Sequence, residues 1–213
     1  QKEMFKTQLK AILRASAFGN LKIMYPFVIS VEEVEQANLL LDQVKQELEQ
    51  QNIAFQQKIQ VGIMVETPAA SLIVEELLQK VDFVSVGTND LTQYTLAADR
   101  MNEKIANLYD YYHPAVLRQL KMIGDAGEKA GKMVGICGEM ASDPLAVKLL
   151  LGFGFSELSV NLASINHIKS IIRATSLQEA REFTAKALAL TSAAAVRRFL
   201  TGALDSFSQA KFN

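Results

Sequence analysis

The 213-residue chain has no tryptophan, one cysteine (Cys137), two histidines (His113 and His167) and four prolines. One thiol excludes an internal disulfide and any cysteine-cluster metal site, and two histidines are too few for a zinc centre. Any metal here must be held by oxygen. An excess of either charge is lacking as well: 22 Lys+Arg stand against 23 Asp+Glu, a formal net charge of -1. That balance argues against nucleic acid or an anionic membrane surface as the main partner. No apolar run approaches the roughly 18 residues that span a bilayer, and the first residues carry no signal-type hydrophobic core. The expectation is a soluble cytoplasmic protein without membrane insertion. Low-complexity segments, flexible linkers and internal sequence repeats are also missing. What remains is a globular composition, 49% hydrophobic and 21% charged, suited to one large domain or two small ones. The chain opens on Gln1 rather than Met, so an upstream portion is expected.

Short apolar runs alternate with longer amphipathic ones. Residues 21–26 read as a strand. Over residues 31–51, Val34, Ala37, Leu40, Leu41, Val44 and Leu48 recur at helical spacing, with Ser30 as N-cap and Glu33 completing a capping box. Further strands are expected over 61–65, 83–86, 133–136 and 158–160. Helices are expected over 68–79, opened by Pro68 where a missing N–H costs nothing, over 91–98, and from Pro114 to 129 with a stop at Gly131. Others follow over 144–151, 163–174, 178–190 and 193–209, and one helix precedes the first strand. Strand-then-helix order with apolar strands is the pattern of a parallel sheet covered by helices, so the class is α/β. Five strands do not close a barrel of eight. The sheet is either open and doubly wound or the later part of a (β/α)8 barrel, and composition leaves both open.

In parallel α/β folds the ligand site lies at the carboxyl ends of the strands. There the second expected strand delivers Glu66, the third Gly87-Thr88-Asn89-Asp90, and the fourth Cys137 before Gly138. Two carboxylates on adjacent strands, with no histidine beside either, suit a hard cation such as Mg2+ that keeps waters and takes other ligands from a phosphate-bearing substrate. A single strand-end acid is as often only a helix cap, and the pair carries more weight than either member. A lone cysteine is most often a small buried apolar residue. Its place at a strand end before glycine points instead to accessible chemistry, and without a His-Asn partner to a proton donor rather than a nucleophile. The backbone N–H groups of residues 87–90 could cradle an anion, although a tight turn would use the same residues. Arg100 could grip a phosphate or simply pair with Asp99 or Glu103 at the surface, and the residues alone favour the surface pair. His113 reads as a loop residue at a helix start and His167 as solvated surface, neither with a catalytic role.

Three runs, Gly62-Ile63-Met64-Val65-Glu66-Thr67-Pro68-Ala69-Ala70, then Ser85-Val86-Gly87-Thr88-Asn89-Asp90-Leu91-Thr92-Gln93-Tyr94-Thr95-Leu96, then Gly135-Ile136-Cys137-Gly138-Glu139, resemble in that order the phosphoenolpyruvate-utilising enzymes. Within that group, the wording of the first two, and of residues 11–19, looks like the enzyme I branch of the bacterial sugar phosphotransferase system. The likeness runs from about Gln8 to Leu188, and the tail after Leu190 has no counterpart. The resemblance implies a (β/α)8 TIM barrel, here only its later part, that binds phosphoenolpyruvate and Mg2+. It implies transfer of the phosphoryl group to a histidine on an upstream domain, thence to a small phosphocarrier protein, and a homodimer whose contact the helices between Pro114 and Leu151 could supply. By motif position it implies Glu66 and Asp90 as Mg2+ ligands and Asn89, Asp90 and Arg100 as substrate-binding residues, with Arg100 on the phosphoryl group. Cys137 becomes the acid that protonates the enolpyruvate carbon as pyruvate forms.

The chain departs from that pattern in places. Met101 stands where the family has glycine, and Tyr111-Tyr112-His113 replace a proline-containing loop. The phosphate-gripping arginines of earlier barrel strands and the phosphohistidine signature have no counterpart. The expectation is a fragment that holds the metal and proton-donor positions yet is inactive alone. Two alternatives share these motifs: a pyruvate phosphate dikinase or phosphoenolpyruvate synthase relative, and a non-catalytic dimerisation or regulatory fragment.

Overall fold

A computed structural model describes residues 2–210, with side chains described through residue 203. Strands β1 (Lys22–Tyr25), β2 (Gln60–Val65), β3 (Phe83–Gly87), β4 (Met133–Cys137) and β5 (Glu157–Leu158) form one sheet in the order β1-β2-β3-β4-β5, parallel at every pairing. Each crossover steps to the next strand in the same direction. A doubly wound sheet reverses its strand order at a switch point, and this one does not, so its winding is that of part of a barrel.

Helix α1 (Lys2–Ala15) precedes the sheet. The crossovers carry α2 (Val31–Gln50), then α3 (Pro68–Leu72) with α4 (Val74–Leu78), then α5 (Thr88–Leu96) with α6 (Pro114–Ala130), then α7 (Val147–Gly152). Helices α8 (Ile165–Arg173), α9 (Leu177–Leu188) and α10 (Ala193–Ala210) follow β5. The register aligns Ile23 with Val61, Ile63 with Val84, and Val65 with Val86 and Ile136 beyond it. That row is buried under the helices, and burying it supplies most of the sheet's hydrophobic stabilisation. The alternate row places Met64 beside Ser85 and Gly135, and Gly87 beside Cys137. It is only partly buried, with Lys22, Met24, Gln60 and Glu157 exposed, although parallel strands are ordinarily covered on both faces.

Several expected elements change at their edges. The helix expected over 68–79 breaks at Ile73 (φ -111°, ψ 24°). Both halves are anchored on α6, α3 by a Ser71 hydroxyl bond to Gln119 at 2.8 Å and α4 by packing, and the break lets each reach it. Helix α5 begins at Thr88 rather than Leu91, directly on the end of β3. Helix α7 begins at Val147 rather than Pro144, because the Asp143 carboxylate accepts the Leu145 N–H at 2.9 Å and holds the chain in a turn there. The last strand is two residues, 157–158. Ser30 caps α2 as expected, accepting from the Glu33 N–H, while Glu33 reaches back to the Ile29 N–H. The tail beyond residue 190 forms α10, packed through buried Val196 and Leu200 and a Phe183–Phe199 stack at 4.7 Å. Among the described residues no helix is long and apolar enough to cross a membrane.

Candidate active site

Strand β2 hands its chain to Glu66 where Val65 pairs with Val86, which sets the carboxyl group against the end of β3. Glu66 is only 4% exposed. Its Oε1 accepts the Phe27 N–H at 2.7 Å, and Phe27 adopts a left-handed backbone (φ 58°) that a non-glycine residue rarely takes without local strain. Its Oε2 lies 2.8 Å from where a Cβ on residue 87 would stand, so a glycine there admits the carboxylate. Burial pushes the Glu66 carboxyl above the ordinary range, the Phe27 N–H opposes this, and the charge of Asp90 adds to it.

Asp90 sits in the first turn of α5, where the N-terminal dipole favours an anion. Cys137 follows at the end of β4, opposite Gly87 in the ladder. Its Sγ donates to the Val86 carbonyl at 3.5 Å, and the residue is half-buried. Burial pushes the thiol up, the Ser85 hydroxyl works the other way, and the charges of Glu66, Asp90 and Glu157 raise it further. A thiol so placed stays protonated at neutral pH, which suits proton donation and disfavours nucleophilic attack. The folded protein therefore holds this proton more tightly than the unfolded chain does, so ionising Cys137 costs stability as pH rises past the ordinary thiol value. The expected measurement is an iodoacetamide alkylation profile for Cys137 whose midpoint lies above that of an ordinary thiol. A midpoint at or below the ordinary value would contradict this electrostatic account.

The start of α5 is tied to the exit of β4. The Thr88 hydroxyl donates to the Cys137 carbonyl at 2.8 Å, and Asn89 Oδ1 accepts the Glu139 N–H at 3.1 Å. Gly138 makes this possible: its φ is 95°, and an added Cβ would stand 2.4 Å from Thr88 Oγ1 and 2.9 Å from Asn89 Oδ1. An open polar hollow of about 500 Å3 lies alongside, lined by Asn89, Gly138, Glu139, Ser142, Asp143, Ser159 and Asn161.

The structure thus gathers Glu66, Asp90, Asn89 and Cys137 at one end of the sheet. Arg100 follows the C-terminal end of α5. Its N–H donates to Gln93 Oε1 at 3.2 Å, and its charge, like that of Glu139 next to Gly138, acts on the half-buried Tyr109 phenol. The surface pair with Asp99 or Glu103 does not form among the described residues; the Asp99 carboxylate accepts the Met101 N–H instead. The Tyr109 phenol lies against the Thr92 and Arg100 side chains, which oppose the rise that burial imposes on it. His113 caps α6, its Nδ1 accepting the Ala115 N–H at 3.2 Å, and His167 is exposed on α8. Reasoning from sequence missed Phe27, Ser85 and Thr88. Phe27 contributes only a backbone N–H, for which its side chain is no signal. Ser85 and Thr88 lie inside a run read for Asn89 and Asp90.

Among the described residues no cluster of three or more His, Cys, Asp or Glu forms a metal cage. The fit to Mg2+ is of another kind. Glu66 and Asp90 repel each other, and neither has a cationic side chain paired to it among the described residues. Two hard carboxylates with that unrelieved repulsion match a cation that fills its remaining positions with water and substrate oxygens.

Residues 1–177 match the family described as PEP-utilising enzyme, PEP-binding domain. The chain is 50% identical over 188 residues to the phosphoenolpyruvate-protein phosphotransferase of Buchnera aphidicola, covering 88% of the chain and 33% of that protein. It is 44% identical over 200 residues to the Bacillus subtilis protein of the same name, covering 94% and 35%. The Haemophilus influenzae protein so named is 45% identical over 200 residues, with the same coverage of 94% and 35%. The chain thus spans about a third of the length of these relatives. By shape it resembles a citrate lyase from Burkholderia xenovorans, with a TM-score of 0.60 at 21% identity, covering 96% of this chain and 69% of that one. At that identity the likeness speaks for the fold alone.

Proposed function

The chain belongs to the PEP-utilising enzymes, as their PEP-binding domain, and from that premise we propose that it is the phosphoenolpyruvate- and Mg2+-binding part of a phosphoenolpyruvate-protein phosphotransferase. The observation that carries this reading is the parallel register of β2, β3 and β4, which brings Glu66, Asp90 and Cys137 to one rim of the sheet. Glu66 and Asp90 hold the metal, which when bound neutralises charge on phosphoryl and enolate oxygens. Asn89 and the backbone at the start of α5 orient the substrate, and Arg100 reaches its phosphoryl group. The P–O bond to the enol oxygen breaks as a histidine nitrogen of another domain takes the phosphoryl group. The enolate carbon then takes the proton from the Cys137 thiol, and the thiolate regains one from water.

Passage to a small phosphocarrier protein, sugar transport, a homodimer and a cytoplasmic setting belong to the same proposal. They rest on the motif resemblance in the sequence, while the relatives' name and the domain match support only the phosphotransferase and its phosphoenolpyruvate. The chain does not complete transfer by itself, since His113 is occupied as a helix cap and His167 stands on the outer helix α8.

Isothermal titration with phosphoenolpyruvate is expected to give heat only when Mg2+ is present, while the isolated chain neither releases pyruvate nor becomes phosphorylated at the full enzyme's rate. A chain kept only for dimerisation or regulation would give no metal-dependent heat, and that outcome refutes the reading. Glu66→Gln is expected to weaken Mg2+-dependent binding by at least the order of tenfold to a hundredfold seen when even a supporting group of a metal ligand is lost. Because the folded state holds Glu66 protonated more readily than the unfolded chain, its ionisation lowers stability as pH rises through the ordinary carboxylate range. Gln still accepts the Phe27 N–H without that charge, so the variant should unfold at a urea concentration no lower than the parent at neutral pH. Loss of binding together with loss of stability would mean that Glu66 serves the fold.

A further inference from the structure

The tail helix α10 lies beyond residues 1–177, which match the family. The 200-residue likeness to the relatives nevertheless reaches into it, past Leu190, where the sequence motifs predicted no counterpart. One α10 side chain reaches back toward the site. Arg197 makes a two-pronged ion pair with Asp110, Nε to Oδ2 at 3.0 Å and Nη2 to Oδ1 at 2.8 Å. Its guanidinium carbon stands 4.7 Å from the centre of the Tyr112 ring and 5.8 Å from that of Tyr111. Both phenols in turn donate to a single oxygen, Asp143 Oδ2, at 2.8 Å from Tyr111 and 2.7 Å from Tyr112. Burial first, and then the shared carboxylate, push both phenols above the ordinary tyrosine range, so they remain donors at any physiological pH.

Asp143 closes the 3-10 turn Glu139–Ser142 that leaves β4 immediately after Cys137 and Gly138. Its other oxygen holds the turn before α7 through the Leu145 N–H, and it lines the polar hollow beside Asn89. The relay therefore runs from the tail helix, through the loop before α6, into the segment next to the thiol.

A lone exposed ion pair would contribute little. This one is two-pronged, stacked on an aromatic face and backed by fully buried Tyr112, the geometry in which arginine holds its partner best. Nor is it needed to seat α10, which Val196, Leu200 and the Phe183–Phe199 stack already attach to α9 and the core.

We infer that Arg197 is a positioning residue: by clamping Asp110 and Tyr112 it aims the two phenols at Asp143, and Asp143 sets residues 138–146, the wall of the hollow beside Cys137. Its consequence for substrate rests on the functional reading above, whereas the mechanical link does not.

The test compares the full chain with Arg197→Met, which keeps the aliphatic stem, and with Tyr111→Phe, which removes one phenol bond without touching α10. Hydrogen exchange followed by mass spectrometry is expected to accelerate on the order of tenfold in residues 138–146 of both variants, with α6 and the sheet unchanged. In Arg197→Met residues 109–113 should loosen as well, and Arg197→Lys, which keeps the charge but not the fork, should fall between. Phosphoenolpyruvate affinity in the presence of Mg2+ should drop severalfold in both Arg197→Met and Tyr111→Phe. Unchanged exchange at 138–146, or a uniform rise across the whole chain, overturns the inference, as does parental affinity in a variant whose 138–146 segment has loosened. Local loosening in a chain whose parent gives no metal-dependent heat would sustain the link and sink the functional reading instead.

Discussion

Cys137→Ala is expected to lower pyruvate formation by about a hundredfold to ten-thousandfold, the usual contribution of a positioned proton donor, while Mg2+-dependent phosphoenolpyruvate binding stays near the parent value. The reasoning begins from the thiol's surroundings. Half-burial and three nearby carboxylates keep it neutral, so the group carries a proton when the enolate develops in front of it. Alanine removes that proton and the long bond from Sγ to the Val86 carbonyl, while the bond from Thr88 goes to the Cys137 backbone carbonyl and survives the change. Cys137→Ser should recover only a small part of the rate, because a hydroxyl is a far weaker acid than a thiol. The measurement belongs in the protein that carries the phosphohistidine domain, with rapid-quench detection of pyruvate and phosphohistidine in parallel. Pyruvate appearing at the parental rate in Cys137→Ala would remove the thiol from the chemistry. Equal loss of both products with loss of binding would give it a role in the site's shape.

Gly124→Ala should destabilise the fold by at least the 1–3 kcal/mol typical of overpacking. In an open helix interior the same change stabilises by roughly 1 kcal/mol, since alanine is the better helix former. Here α6 is pressed against the end of α7, and an added Cβ would stand 1.8 Å from the Phe153 carbonyl oxygen and 2.9 Å from its carbon. Both obstacles are backbone, so relief requires moving a helix. Gly127→Ala supplies the contrast. There the nearest atom, at 2.0 Å, is a Val134 side-chain methyl, which can rotate or shift, so the loss should be smaller. Urea midpoints for the two variants test the ordering, and a Gly124→Ala protein as stable as its parent would refute the close approach of α6 and α7.

The candidate site was legible in part because its acids sit at strand ends. A run such as Gly62 to Val65 reads as a buried strand whatever surrounds it, and the residue that follows must then emerge at the carboxyl edge of a parallel sheet. That is why Glu66, Asp90 and Cys137 could be named together. The limits of the helices were less legible, since propensity does not register that Ile73 must yield for α3 and α4 to meet α6 separately, or that Asp143 holds residues 143–146 in a turn. Arg100 illustrates another limit. Its sequence neighbours Asp99 and Glu103 suggested a surface pair, yet the chain turns through a left-handed Ala97 (φ 50°) and sets it near Tyr109 instead.

From sequence alone came the α/β class, the count and order of strands, and the three side chains at their ends, because each follows from local alternation of apolar and polar residues and from the geometry of parallel strands. Tertiary structure alone decided that the sheet winds in one direction, that a strained Phe27 turns its N–H onto Glu66 across 39 residues, and that Arg197 grips Asp110 across 87. Such contacts depend on where distant segments are brought in space, and no local pattern of side chains encodes that distance.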